Sequence, residues 1–290
     1  MSGASTSVPV RATVRTPDGV ELAVFDFGGH GPDLILAHAT GLHAMVWAPV
    51  VAHLTDSFRC VAFDERGHGD SGPSPGGYAW SGFAVDVTSV VDGLGLENPY
   101  GAGHSCGGAA LLLAAADRPD RFAGLWCYEP VVRPGPRPGY EPGHPLAVGA
   151  RRRRARFADR AEARRNYAAK PPFSRVAPAA LDAYVAHGLA DEPDGTVRLK
   201  CDPDTEAEVY ANSGGHDAYE RLPEVGIPVV LAHGTVSEGP LSPTVISQLA
   251  GRLPDARVEP AEGLGHFGPL EDPAAAAAGI ATLCRRPGVP

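Results

Sequence analysis

Gly101-Ala102-Gly103-His104-Ser105-Cys106-Gly107-Gly108 runs directly into the apolar stretch Ala109-Ala110-Leu111-Leu112-Leu113-Ala114. Glycines packed this densely ahead of a helix-forming run have two chemical uses. A loop can lay backbone amides on a phosphate at a helix N-terminus. Alternatively, a sharp strand-to-helix turn can push Ser105 outward as a nucleophile. The phosphate-binding form needs Gly-x-Gly-x-x-Gly, and counted from Gly101 the sixth position is Cys106. Asp120 stands about twenty residues on, where a ribose-binding acid is expected, but in a chain with 34 acidic residues that spacing carries little weight. That fingerprint also closes the first strand of its domain, whereas several strand-like runs precede this one. Gly-x-Ser-x-Gly, by contrast, is matched throughout by Gly103-His104-Ser105-Cys106-Gly107. Small residues two before and two after the serine let the backbone make a strained turn without a Cβ clash.

The surrounding pattern supplies the strand and the helix this turn requires. Val20–Phe27 alternates like a sheet strand, while Leu34–Ala37 and Cys60–Phe63 are short continuous apolar runs, the mark of buried parallel strands. Trp80–Leu94 has helical spacing through Phe83, Val87, Val90, Val91 and Leu94. Pro99–His104 reads as a strand, Cys106–Ala116 as a helix and Phe122–Tyr128 as a strand. Two late strands, Ile227–Ala232 and Ala256–Pro260, flank a helix over Pro243–Leu253. Strands separated by helices predict βαβ units and an α/β architecture with a mostly parallel central sheet.

Residues 134–216 break this rhythm. They open with Pro134, Pro136, Pro138, Pro142 and Pro145, then show helical stretches over Leu146–Phe157, Arg160–Ala169, Pro178–His187 and Pro203–Ala211. The expected organisation is a core over 1–133 and 217–290 with a helical cap, 134–216, inserted between two core strands. The run Arg151-Arg152-Arg153-Arg154 falls on the first of these helices and reads as a solvated face paired with Asp159 or Glu162.

A serine hydroxyl is a weak nucleophile at neutral pH and needs a base within hydrogen-bond reach. His266, in Gly265-His266-Phe267-Gly268-Pro269, directly follows the last predicted strand, where a loop can swing it to the carboxyl edge of the sheet. An oxyanion formed by attack on a carbonyl needs preorganised amide donors, each worth roughly 3 kcal/mol of barrier. The N–H of Cys106 is one candidate donor. The N–H of Thr40, in His38-Ala39-Thr40-Gly41 after the third strand, is the other, with His38 ordering that loop.

These pieces together resemble the α/β-hydrolase-fold serine hydrolases. His38-Ala39-Thr40-Gly41, Asp64-Glu65-Arg66-Gly67-His68-Gly69-Asp70-Ser71, the Ser105 elbow and the Gly265-His266 turn occur in the order and spacing of that superfamily and span essentially the whole chain. One departure is His-Ala in the oxyanion loop, where the superfamily usually has His-Gly. The resemblance implies no catalysis for Asp64–Ser71, which is a structural turn there. It also implies an acid between serine and histidine in the sequence. Glu238, in His233-Gly234-Thr235-Val236-Ser237-Glu238, is the first candidate, one residue beyond the usual position, which holds Ser237. Glu129, in Tyr128-Glu129-Pro130 ahead of the cap, is the second, in the manner of some haloalkane dehalogenases.

Serine rather than aspartate at the elbow implies an acyl-enzyme and hydrolysis of a carboxylic ester, lactone, thioester or amide, on an uncharged or weakly charged carbonyl substrate. Trp47, Phe157, Tyr167, Phe173, Tyr184 and Phe267 are candidates for an apolar pocket, with His38 beside them. Carbon–carbon bond hydrolases and cofactor-free haloperoxidases of this fold use the same residue types. A ligand sensor that keeps the pocket with slow or no turnover is the non-enzyme alternative.

The bulk composition narrows the partners. A net charge of −9 argues against nucleic acid or an anionic membrane surface. Cys60, Cys106, Cys127, Cys201 and Cys284 show no CxxC spacing, which predicts neither a disulfide framework nor a zinc site and fits a reducing, cytoplasmic setting. Met1–Val10 has no basic segment followed by an apolar one, so no secretory signal is expected, and no apolar run approaches the roughly 18 residues of a spanning helix. No metal site or cofactor is expected, and the expected partner is a small-molecule substrate.

Overall fold

The computed structural model describes residues 9–285 other than residue 136. Residues 1–8 of the N-terminal stretch, Pro136 of the proline-rich linker and the tail 286–290 lie outside the described residues. The chain begins with strands β1 (Val10–Arg15), β2 (Glu21–Gly29) and β3 (Asp33–Ala37), a short helix α1 (Ala48–Val51) and β4 (Arg59–Phe63). Helix α2 (Trp80–Gly93), β5 (Tyr100–His104), α3 (Cys106–Asp117) and β6 (Gly124–Tyr128) follow. Next come α4 (Pro145–Arg151), β7 (Arg156–Phe157), α5 (Arg160–Ala168), α6 (Pro178–His187), β8 (Leu189–Asp191), β9 (Val197–Leu199), α7 (Pro203–Ala211) and α8 (Ala218–Arg221). The chain closes with β10 (Val229–Gly234), α9 (Pro243–Ala250), β11 (Ala256–Ala261), α10 (Gly268–Glu271) and α11 (Pro273–Ile280).

The large sheet has eight strands in the order β1-β2-β4-β3-β5-β6-β10-β11. β1 with β2 and β2 with β4 are antiparallel, and every pairing from β4 to β11 is parallel. The apolar runs are continuous because both faces of this sheet are buried. Leu34, Leu36, Cys60, Ala62, Trp126, Tyr128, Val230 and Ala232 face one core layer. Their alternates Ile35, Ala37, Val61, Phe63, Leu125, Cys127, Val229 and Leu231 face the other, against α2 and α3. A two-residue period in side-chain direction turns one apolar run into two core surfaces. Helix α3 is buried from Cys106 to Ala116, which accounts for its uninterrupted Ala/Leu composition.

The predicted central strands and helices are present, and two local readings change. β1 is an additional edge strand in which only Val14 is buried, so its sequence lacks the apolar signal of the inner strands. The helix expected over Leu146–Phe157 stops at Arg151, and Arg156–Phe157 instead pairs with β9 in a small three-stranded sheet, β7-β9-β8. That sheet uses strands of two or three residues, too short to show a period. Pro260 lies within β11, and the outermost position of that strand leaves an edge free of ladder bonds.

The Asp64–Ser71 segment fixes the end of β4 by hydrogen bonding. Asp64 accepts from the N–H groups of Ala44 and Asp70, each at 2.7 Å, and Ser71 Oγ donates to the Asp64 carbonyl at 2.6 Å. Arg66 reaches inward to the buried carboxylate of Asp86 on α2, with Nη2 to Oδ1 at 2.7 Å. Glu65, between them, is wholly buried, and neither carboxyl oxygen has a hydrogen-bond partner among the described residues.

Burial, with the negative charge of Asp86 adding to it, pushes the Glu65 carboxyl well above the usual carboxylate range. The folded protein therefore keeps a proton there that the unfolded chain releases. Such a group stabilises fully below its unfolded pKa of about 4.5 and loses that contribution as pH rises towards its folded value. Glu65→Gln removes this dependence. Its melting temperature relative to wild type is expected to rise between about pH 5 and pH 8; a difference that stays flat across that range refutes the assignment of a buried neutral carboxyl.

Candidate active site

The strand β5 ends at His104 and the chain turns at Ser105 into α3. Ser105 holds φ 56° and ψ −112°, a conformation a side-chain-bearing residue rarely adopts. Hydrogen bonds on both sides hold it there. The Ser105 N–H donates to the Tyr128 carbonyl at 2.9 Å, and its own carbonyl accepts from Ala109 and Val131 at 3.1 and 3.2 Å. The flanking glycines are required by space. A Cβ on Gly107 would strike the carbonyl groups of Ala37 and His38, and one on Gly103 would lie 2.6 Å from the Gly108 nitrogen. The result is a serine whose side chain projects into a cavity of about 770 Å³ at the carboxyl edge of the sheet.

His266 reaches the same place from the turn after β11. Its Nε2 lies 3.2 Å from Ser105 Oγ, and its Nδ1 lies 2.7 Å from Glu129 Oε2. Glu129 closes β6 with φ 42°, and its side chain is wholly buried. The other carboxyl oxygen, Oε1, accepts from the Gly234 N–H at the end of β10 at 2.8 Å. The Glu129 N–H donates to Ala232 at 2.8 Å, so a left-handed residue is locked between two parallel strands. With Nδ1–H donated to the carboxylate, Nε2 is left as the acceptor for the serine proton.

Two further groups hold the histidine turn. His104 Nε2 donates to the His266 carbonyl at 2.7 Å, and Tyr128 Oη donates to the Gly265 carbonyl at 2.8 Å. Burial, with the neighbouring His266 adding to it, drives His104 well below the ordinary histidine range. His104 is therefore neutral, and no second positive charge competes beside His266. Nothing in the sequence around His104 distinguished it from its role as an elbow residue.

Of the two acid candidates, Glu129 and not Glu238 lies against His266. Glu238 is exposed ahead of a short 3-10 turn, Gly239–Leu241, and the histidine nitrogen it was expected to hold is occupied by Glu129. The strand order places β6 directly beside β10, which brings Glu129 to the end of the sheet where His266 arrives.

Hydrogen bonds of His38 order the His38–Gly41 loop. His38 Nδ1 donates to the Ala39 carbonyl at 2.9 Å, and Nε2 accepts the Glu65 N–H at 3.0 Å, which uses both ring nitrogens of one neutral tautomer. Burial, with His68 nearby, holds His38 well below its ordinary range. Gly41 takes the left-handed conformation of this loop, φ 76°, while Ala39 is not among the residues of positive φ, so its backbone accepts a Cβ. Among the described residues neither the Thr40 N–H nor the Cys106 N–H has an acceptor within the chain.

The pocket expectations divide. Phe267, Phe173 and Tyr167 line the cavity. His38 and Trp47 do not: both are buried, His38 behind the loop and Trp47 in the core layer, and Phe157 and Tyr184 pack behind the wall. Sequence reasoning missed Trp80 and the basic wall residues, although the arginine run was visible. Asp120 is exposed after α3. Among the described residues no group of three or more His, Cys, Asp or Glu side chains is arranged to hold a metal ion. No helix among them is long and apolar enough to cross a membrane.

Known proteins share this arrangement of chain. The solved E-2-(acetamidomethylene)succinate hydrolase superposes with a TM-score of 0.80 over 96% of this chain and 100% of that one, at 21% identity. A non-heme chloroperoxidase from Streptomyces lividans is 26% identical over 260 residues, 88% of this chain and 92% of its own length. A putative carbamate hydrolase, RutD, from Caulobacter segnis is 35% identical over 127 residues, 43% of this chain and 48% of the relative. The chain thus spans about half the length of that relative. Residues 34–279 match the alpha/beta hydrolase family, and the chain belongs to it.

Proposed function

We propose that this protein is a serine hydrolase that cleaves a carboxylic ester, lactone, thioester or amide through an acyl-enzyme on Ser105. The observation that carries the reading is the hydrogen-bonded line from Ser105 Oγ through His266 to the buried carboxylate of Glu129. In this reading His266 Nε2 takes the serine proton as Oγ bonds to the substrate carbonyl carbon. Glu129 keeps the Nδ1 proton in place and stabilises the imidazolium without taking that proton. The Thr40 and Cys106 N–H groups receive the oxyanion. His266 then returns the proton to the departing alcohol, thiol or amine, and the same base activates the water that releases the acid.

Residues 134–216 act as the cap in this reading, between core segments 1–133 and 217–290, since His144, Tyr167 and Phe173 of that stretch line the cavity above Ser105. The substrate is a small molecule. The cysteine spacing, with no CxxC pair, supports a reducing, cytoplasmic setting in this reading. Similarity to a chloroperoxidase over 88% of the chain favours peroxide-dependent halogenation as the second reading of the same residues. Carbon–carbon bond hydrolysis remains an alternative on the same trio, and a ligand sensor is the alternative without turnover.

A small fluorophosphonate followed by intact mass is expected to add once to wild type and not to Ser105→Ala or His266→Ala. A folded wild type that takes no adduct moves the sensor reading ahead of the hydrolase. For the acid, Glu129→Gln is expected to lower kcat on 4-nitrophenyl acetate by roughly a thousandfold, whereas Glu238→Gln stays within about threefold. The reverse ranking restores Glu238. Bromination of a diketone dye with hydrogen peroxide, in the absence of ester cleavage, selects the haloperoxidase.

A further inference from the structure

The charge on the cavity wall is opposite to that of the chain. Among the described residues five basic side chains, Arg133, Arg152, Arg153, Arg154 and Lys170, line the cavity, and Glu206 is the single acidic one. The chain as a whole carries 25 basic and 34 acidic residues. Proteins that concentrate one sign of charge in a cleft attract ligands of the other sign.

The partners of these cations separate structural from available charge. Arg153 turns inward, pairs with the buried Glu206 and donates to the hydroxyls of Tyr167 and Tyr184 at 3.1 and 2.7 Å. This pair packs on Gly41 of the oxyanion loop, so the positive charge nearest that loop is neutralised. Arg154 pairs with Glu162 at 2.8 Å and lies over the Phe157 ring. Arg133 has a looser partner, Glu141 at 3.6 Å. Arg152 has no carboxylate partner among the described residues, and Lys170 donates only to the Asn166 amide oxygen at 2.8 Å. Both are exposed, which sets them at the mouth of the cavity, and both belong to residues 134–216. Of the expected solvated arginine face, Arg152 and Arg154 are exposed at this wall, and Arg154 alone has one of the expected partners, Glu162.

We propose that the substrate carries an anionic group, a carboxylate or a phosphate, on the end remote from the scissile carbonyl, held by Arg152 and Lys170. This rests on the serine-hydrolase reading and departs from the uncharged or weakly charged substrate expected from sequence. The carbonyl sits on the core floor beside Ser105. The apolar body of the substrate passes Leu42, Phe173 and Phe267, and the anion meets the two free cations where the residues after α4 and α5 frame the opening.

The test compares mono-4-nitrophenyl adipate with its neutral methyl ester, the same chain with the distal charge removed. Wild type is expected to favour the charged ester by roughly tenfold in kcat/KM at low ionic strength. The preference is expected to shrink to within about threefold near 0.5 M salt as screening shortens to a few ångströms. In Arg152→Gln/Lys170→Gln the ratio is expected to fall to within about twofold of unity; Arg152→Gln alone, at an exposed position, serves if the pair fails to fold. Competition by glutarate against inorganic phosphate distinguishes the two anions. Turnover of the neutral ester with no preference for the charged one overturns this inference and leaves the hydrolase standing. If neither ester reacts and no fluorophosphonate adduct forms, the hydrolase reading fails. The melting shift with glutarate or phosphate then decides the anion site: a shift lost in the double variant supports it, and no shift overturns it.

Discussion

The buried carboxylate of Glu129 is the constraint on which the site depends. Both of its oxygens are used, one by the Gly234 N–H and one by His266, and no water-exposed surface remains to satisfy it otherwise. A buried carboxylate is costly unless it is fully hydrogen-bonded. The fold meets that requirement by bringing together three segments that are remote in sequence: the ends of β6 and β10 and the turn after β11. The left-handed backbone at Glu129 and at Ser105 is the local cost of aiming both side chains at one histidine. The surrounding ladder of backbone bonds offsets that strain. Ser105 N–H to Tyr128 and Glu129 N–H to Ala232 are extensions of the same parallel pairing that builds the sheet.

Histidines around the site are divided by burial into different tasks. His38 and His104 are buried and held neutral, and each uses ring nitrogens to order backbone: His38 the oxyanion loop, His104 the His266 turn. His266 alone of these faces both the serine and a carboxylate. The contrast leaves the His266 Nε2 beside the Ser105 hydroxyl while the supporting rings stay uncharged. A similar division holds among the cations of the cavity wall, where Arg153 is consumed by Glu206 and two tyrosines while Arg152 and Lys170 keep free charge towards solvent. Apolar side chains and exposed cations line the same cavity.

Most of the core was legible in the sequence because its signals are local. Leu34–Ala37, Cys60–Phe63 and Phe122–Tyr128 declare buried strands by continuous apolarity, and the alternating directions of those same residues create the two core layers. The elbow was legible because its five-residue pattern carries both glycines, although only the steric demand on Gly103 comes from within the turn; that on Gly107 comes from the Ala37 and His38 carbonyls of the neighbouring strand end. What failed was weak or short. β1 carries one buried side chain, and β7, β8 and β9 are shorter than any period that betrays a strand. The helix through the arginine run ends at Arg151, and Arg153 beyond it turns to a carboxylate 53 residues away, a contact no local pattern contains.

The sequence by itself determined the α/β layering, the strained serine turn, the histidine that follows the last strand and the loop that offers a second amide. Each rests on neighbours along the chain, whose geometry is set by residue size, period and glycine placement. Only the tertiary structure set Glu129, and not Glu238, against His266, removed Trp47 and His38 from the cavity wall and turned one arginine inward while leaving another free. Those outcomes depend on which strands lie side by side. Glu129 meets His266 across 137 positions because β6 is hydrogen-bonded to β10, and strand order is a property of the packed sheet that no single segment encodes.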